Sequence, residues 1–188
     1  MKLINLKQAT KEWLNWRCGL ITASDAPIIM GMSPFKKTDQ LLNEKYRRFS
    51  TVANPYMQRG IDLEPIALQE FEKETGLIMF PCVGEHENEW MGASFDGMTL
   101  EQDAIVEIKC PGKIDMLSAI NGDIPEKYKA QLQHQMYVAG LEYMFYYSFS
   151  GTCGIIIEVK RDNDFIEIMV EKEREFWDRL QEMNLQRV

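Results

Sequence analysis

The sequence predicts one α/β domain, a mixed central sheet flanked by helices with a helical extension at its N-terminus. Three observations predict it. Apolar runs of strand length fall near 77–83, 90–95, 103–110, 143–150 and 154–160. Segments with helical periodicity precede, interrupt and follow them, the order of an α/β domain. The chain has 188 residues, 45% hydrophobic and 11% aromatic, enough for one substantial core. With no linker, repeat or low-complexity tract, residues 1–188 are expected to form a single unit: a helical part over 1–55, a core over 56–150, and strands with a helix over 151–188.

Each element has a local reason. Thr10 caps a short helix through Trp13, Trp16 and Arg17. Thr22-Ala23-Ser24-Asp25 opens a second, which runs through Ile28 to Met30 and stops at Gly31. After the Ser33-Pro34-Phe35 loop, Thr38 caps a helix to about Arg48, and 49–55 is a polar connection. Met57 to Thr75 places Ile61, Ala67, Leu68 and Phe71 on one side and ends before Gly76. Three short strands follow. Pro125 begins a helix that reaches Ala139 before Gly140. Tyr143–Ser150 and Gly154–Lys160 read as strands, the turn at 161–164 leads to a further strand ending near Val170, and Glu171–Gln186 is an amphipathic helix.

Composition narrows the function. No run of about 18 apolar residues is present, so no membrane span is expected. The first residues lack the apolar core of a secretion signal. Cys18, Cys82, Cys110 and Cys153 are scattered, against a zinc knuckle or a disulfide scaffold, and a cytoplasmic location is the simplest expectation. The net charge of −8 conceals an asymmetry. Residues 1–60 hold ten Lys/Arg against four Asp/Glu, a net of +6, while the rest hold 11 against 25, a net of −14. An anionic partner would meet the N-terminal third, helped by Lys109, Lys113 and Lys127.

The chemistry concentrates at Asp96-Gly97 and Glu107-Ile108-Lys109. Glu107 and Lys109 are two apart, so on a strand they share a face, and their neighbours Ile105, Val106, Ile108 and Cys110 are those of a buried strand. A charge there needs compensation. Asp96 and a divalent cation would supply it. Glu64, on the preceding helix, offers a further oxygen, and the Ile108 carbonyl another. Mg2+ takes octahedral oxygen ligation and keeps several waters, so such a set suffices. Gln131 and Gln135, four apart on the next helix, share a face and could orient water or phosphate. Taken singly, each feature also fits an ordinary turn, an edge ion pair or a solvated helix.

Together the residues resemble a known family. Trp16-Arg17-Cys18-Gly19-Leu20-Ile21-Thr22-Ala23-Ser24, Gly60-x-x-x-Glu64, Ser94-x-Asp96-Gly97, Glu107-x-Lys109-Cys110-Pro111 and Tyr128-x-x-Gln131-x-Gln133 follow, in order, the motifs of the lambda-exonuclease (YqaJ-type) branch of the PD-(D/E)xK nucleases. The resemblance covers roughly 10–150. It implies a restriction-endonuclease-like core and a Mg2+-dependent 5′-to-3′ exonuclease on linear double-stranded DNA, with Mn2+ able to substitute and two ions per site. Asp96 and Glu107 would hold the metal with the Ile108 carbonyl, and Glu64 would assist. Lys109 would position or activate water beside Gln131. Arg17 and Ser24 would bind the terminal 5′-phosphate.

Residues 35–56, where relatives prise the duplex apart, align with no motif, which leaves Lys36, Lys37, Arg47, Arg48 and, nearby, Arg59 as candidate backbone contacts. The resemblance further implies a ring-shaped homotrimer, a single-strand annealing protein as partner, and a phage or prophage origin in a bacterial host. The alternatives are an endonuclease of the same fold and a non-catalytic DNA-end-binding module. An iron–sulfur nuclease would need clustered cysteines.

Overall fold

A computed structural model describes residues 1–48 and 55–186. The predicted polar connection lies, but for Pro55, outside the described residues. In chain order the elements are β1 (Lys2–Ile4), α1 (Lys11–Cys18), β2 (Ile21–Thr22), α2 (Ala26–Ile29), α3 (Thr38–Arg47), α4 (Pro55–Thr75), β3 (Phe80–Glu85), β4 (Met91–Met98), β5 (Ile105–Lys109), α5 (Lys113–Ile120), α6 (Glu126–Ala139), β6 (Tyr143–Phe149), β7 (Gly154–Lys160) and α7 (Asn163–Leu185). Among the described residues no helix is long and apolar enough to cross a membrane.

The seven strands form one mixed sheet in the order β1-β3-β4-β5-β6-β7, with β2 pairing to β4. Among the described residues only β5/β6 and β2/β4 are parallel. The predicted mixed sheet between helices is therefore correct. On one face α4 packs through Ala67 and Phe71 onto Val106, Ile108, Tyr147 and Phe149. The other face carries α6, whose Leu132, Met136 and Val138 join Phe95, Ile105, Met144 and Tyr146. The long α7 closes over this layer with Phe176 and Leu180.

Two expectations fail. Lys37, not Thr38, stands at the N-cap of α3; Thr38 is its first residue, and its hydroxyl donates to the Ile28 carbonyl at 3.1 Å. The stretch expected as a strand to Val170 is the first two turns of α7. Asp162 caps it, its Oδ1 accepting from the Phe165 amide at 3.0 Å, and the buried set Ile166, Met169, Glu173, Phe176 and Leu180 recurs at helical spacing. Three short elements went unanticipated: β1, β2 and α5.

The edge of β4 creates the site. Along Gly92–Met98, β4 pairs with β3. Its opposite edge is shared: β5 pairs only with Gly97 and Met98, and β2 only with Met91 and Gly92. Between these, Ala93–Asp96 faces a gap in the ladder. Two glycines permit the close packing on either side. A Cβ on Gly97 would lie 2.8 Å from Val106 Cγ1, and one on Gly92 2.7 Å from Trp16 Cζ2.

Candidate active site

The gap is filled by side chains, because buried backbone groups must find partners. Asp96 Oδ2 accepts from the Ile108 amide at 2.7 Å, the bond that a continued β4/β5 ladder would otherwise supply. From α6, Gln135 Nε2 donates to the Ser94 carbonyl at 3.2 Å. Into the same space β5 projects Glu107, which is 3% exposed. Its Oε1 accepts from Lys109 and from Gln131 Nε2 at 2.5 Å, and its Oε2 accepts from Gln135 Nε2 at 2.5 Å. The structure thus brings Asp96, Glu107, Lys109 and Gln131 together. Gln135 anchors the same carboxylate, from the shared helix face its spacing predicts.

Electrostatics bind the group further. Burial and then the charges of Glu107 and Glu64 raise the Asp96 pKa well above the usual carboxylate range. Burial, followed by Glu107, raises that of Glu64 on α4. Burial opposes the charge of Lys109, but Glu107 and Asp96 outweigh it and hold the ammonium protonated. Lys109 also lies 5.4 Å from the centre of the Tyr128 ring. Three acids thus face one lysine, a donor set of hard oxygens with excess negative charge, which fits Mg2+. Among the described residues no three His, Cys, Asp or Glu side chains close into a ready-made cage. Here Glu107 is instead compensated by the chain's own donors. Gln135 Oε1 is buried and meets no donor among the described residues.

The second predicted cluster also assembles. Arg17, at the end of α1, donates to Ser24 Oγ at 2.6 Å and stacks 4.5 Å over the Trp13 ring. Trp13 is pinned to β4 by a 2.8 Å bond to Ser94 Oγ, and Trp16 to β3 by a 2.6 Å bond to Glu85. No carboxylate lies within ion-pair distance of Arg17 among the described residues, although its charge, after that of Lys45, helps to lower the Asp25 pKa against burial. A guanidinium and a hydroxyl side by side suit a phosphate. Because β2 and β5 share one edge of β4, this cluster borders the same gap as Glu107.

The candidate backbone cations separate. Lys37, Arg47 and Arg48 are exposed around α3. Lys36 pairs with Glu44 at 2.5 Å. Arg59 donates to the carbonyls of Cys110 at 2.9 Å and Ser150 at 3.2 Å, tying α4 to the ends of β5 and β6. Lys45, counted in the positive N-terminal third, is buried against Asp25 at 2.8 Å. Sequence reasoning missed this pair, although Lys45 follows Leu41 and Leu42 on the apolar stripe of α3.

Comparison with known proteins identifies the family and the fold. A family model described as the YqaJ-like viral recombinase domain matches residues 12–142. The chain is 30% identical over 181 residues to the uncharacterized protein YqaJ of Bacillus subtilis (strain 168), covering 92% of this chain and 57% of that protein. It therefore spans little more than half the length of that relative. LHK-Exo, an alkaline exonuclease from Laribacter hongkongensis, superposes with a TM-score of 0.82 at 25% identity, over 95% of this chain and 96% of that one. Its complex with dAMP gives 0.83 at 25% identity, over 94% and 96%. A phage-related exonuclease from Haemophilus somnus 129PT shares the fold, with a TM-score of 0.67 at 15% identity over 90% and 96%.

Proposed function

We propose that this chain, which belongs to the YqaJ-like viral recombinase domain family and has the fold of the alkaline exonucleases, is a 5′-to-3′ exonuclease. It would digest linear double-stranded DNA from 5′-phosphorylated ends, releasing mononucleotides and leaving 3′ single-stranded tails. The family and the solved neighbours support a nuclease. The observation that carries the finer reading is the buried Glu107 carboxylate, held by Lys109, Gln131 and Gln135 beside Asp96, on the edge of β4 that also pairs with β2 next to the Arg17–Ser24 cluster.

Asp96 and Glu107, the Ile108 carbonyl and, as an auxiliary, Glu64 would hold two Mg2+ ions, with Mn2+ as a substitute, which when bound would supply charge to both the attacking and leaving oxygens of an in-line displacement. The remaining work falls to the chain. Lys109, protonated, donates to the attacking water or a phosphoryl oxygen and offsets charge that develops there. Gln131 fixes the other side of that position. Arg17 and Ser24 seat the terminal 5′-phosphate, so the first phosphodiester is the one presented to Glu107. The 3′ tail would pass to a single-strand annealing protein, and the working form would be a homotrimer around DNA, in the cytoplasm of a bacterial host.

The test is digestion of end-labelled linear duplex with Mg2+, comparing 5′-phosphate and 5′-hydroxyl ends. Mononucleotides should appear, faster from phosphorylated ends, and Lys109→Ala should slow release by about 10²- to 10⁴-fold. Cleavage of a covalently closed circle would instead establish an endonuclease. Metal-independent binding without nucleotide release would establish an end-binding module.

A further inference from the structure

Helix α3 carries a lysine that hardly meets solvent. The Lys45 side chain is 6% exposed. Its ammonium has three protons and three acceptors: the carbonyl of Arg17 at 2.9 Å, the carbonyl of Leu20 at 2.7 Å and Asp25 Oδ2 at 2.8 Å. All three belong to the segment 17–25, which bears the Arg17–Ser24 cluster. Asp25 Oδ2 also accepts from the Thr22 amide at 2.8 Å and from the Thr22 hydroxyl at 2.7 Å.

These bonds impose a direction. The Thr22 hydroxyl gives its one proton to Asp25, so the 3.3 Å contact between Thr22 Oγ1 and Ser24 Oγ is donated by Ser24. Ser24 Oγ is then left as an acceptor, which is the role it plays toward Arg17 Nη2 at 2.6 Å. A chain of oriented bonds runs from buried Lys45 through Asp25, Thr22 and Ser24 to Arg17 at the surface.

A buried ion pair is a poor device for stability alone, since apolar residues of similar volume hold helices together as well or better. Apolar residues cannot grip two carbonyls and orient a hydroxyl at once. We propose that Lys45 and Asp25 are positioning residues that set the Arg17 guanidinium and the Ser24 hydroxyl for a 5′-terminal phosphate, so that selectivity for phosphorylated ends is fixed from α3. The inference rests on the 5′-phosphate reading given above. Lys45 itself touches no DNA.

The full chain, with Mg2+, is assayed for initial rates on linear duplexes with 5′-phosphate or 5′-hydroxyl ends, as wild type, Lys45→Met, Thr22→Val and Arg17→Ala. Lys45→Met and Thr22→Val should each lower the phosphate-to-hydroxyl rate ratio by about tenfold, through a higher KM for phosphorylated ends with kcat within about twofold. If Lys45→Met fails to unfold cooperatively, Thr22→Val decides, because it keeps the ion pair and removes only the hydroxyl link. A ratio unchanged in Thr22→Val, or an equal loss on both kinds of end, overturns the proposal as a mere structural prop. A wild type that treats both ends alike overturns the 5′-phosphate reading and this inference with it. A wild-type preference that Arg17→Ala abolishes and Thr22→Val leaves intact overturns this inference alone.

Discussion

Asp96 is an acid whose surroundings work against its charge. Burial and the nearby Glu107 and Glu64 raise its pKa, and the Ile108 amide and Lys109 only partly compensate. A carboxyl whose pKa is higher in the folded chain binds its proton more tightly there. Its contribution is therefore favourable below the unfolded value of about 3.9 and is lost as pH rises through the folded value. Without divalent cations, Asp96→Asn should then be more stable than wild type at pH 7, by about 2–4 °C in Tm for each kcal/mol of repulsion relieved. The amide oxygen of the replacement can still accept from Ile108. Thermal unfolding in a chelator checks this, and added Mg2+ should narrow or reverse the gap while the variant stays inactive. An Asp96→Asn that is less stable under all conditions would contradict the charge argument.

Much of this residue-level picture is legible in the sequence, because Asp96, Glu107 and Lys109 are acids and a base where a buried strand should have none. Gln131 and Gln135 are legible by their spacing of four. Lys45 and Asp25 are not, since a lysine on a short helix reads as solvated until the tertiary fold closes over it.

At the scale of elements, α6 and α7 are joined to β4 by one buried histidine. His134 Nδ1 faces Glu173 Oε1 at 2.8 Å and Nε2 faces the Gly92 carbonyl at 3.1 Å. With a carboxylate on one side and a carbonyl on the other, the geometry favours a proton on both ring nitrogens. Burial disfavours that charge, yet Glu173 and the carbonyl outweigh it and raise the His134 pKa. The resulting stabilisation is complete below the unfolded value of about 6.5 and is lost as pH rises through the folded value. The Tm of wild type should accordingly fall over the alkaline range more steeply than that of His134→Gln, whose side chain does not titrate. Parallel slopes would refute the linkage. This junction also explains which elements sequence reasoning recovers. Helices and strands with unbroken local patterning are recovered. The start of α7 is not, because Ile166-Glu167-Ile168 alternates like a strand locally, and only the longer 166, 169, 173, 176, 180 series reveals the helix that meets His134. The two-residue β2 has no local pattern to read. It exists because β4 offers it an edge.

For the whole molecule, net charge hides how an acidic chain could hold DNA. Within the positive N-terminal third, Lys45 and Lys36 have their charges met by Asp25 and Glu44. Of the other eight, Lys2, Lys7, Lys11, Lys37, Arg47, Arg48 and Arg59 are exposed, Lys37 at the start of α3 and Arg47 and Arg48 at its end, with half-buried Arg17 toward the catalytic gap. Binding of duplex ends by the inactive Asp96→Asn chain should therefore weaken with salt. Replacing Arg47 by Gln and Arg48 by Asn should make the log–log slope shallower by about 2, since each phosphate contact contributes roughly −0.9. Arg48 has φ of 53°, a backbone that Asn accepts readily. Fluorescence anisotropy over a salt series measures the slope, and an unchanged slope would place the duplex elsewhere. If the proposed homotrimer forms, sedimentation of the chain without DNA should give three times 21.9 kDa per particle.

The parting of β4 and β5 has one more consequence. Ile108 has an amide proton guarded by a carboxylate where its neighbours in the sheet are guarded by a strand. Its exchange with deuterium, or its nitrogen chemical shift, follows the state of Asp96 directly. Were cations to draw that carboxylate away from the backbone, this one amide would loosen while those of β6 stayed locked. If the proposed metal site holds, the chain would contain its own gauge of metal loading, readable without DNA or turnover.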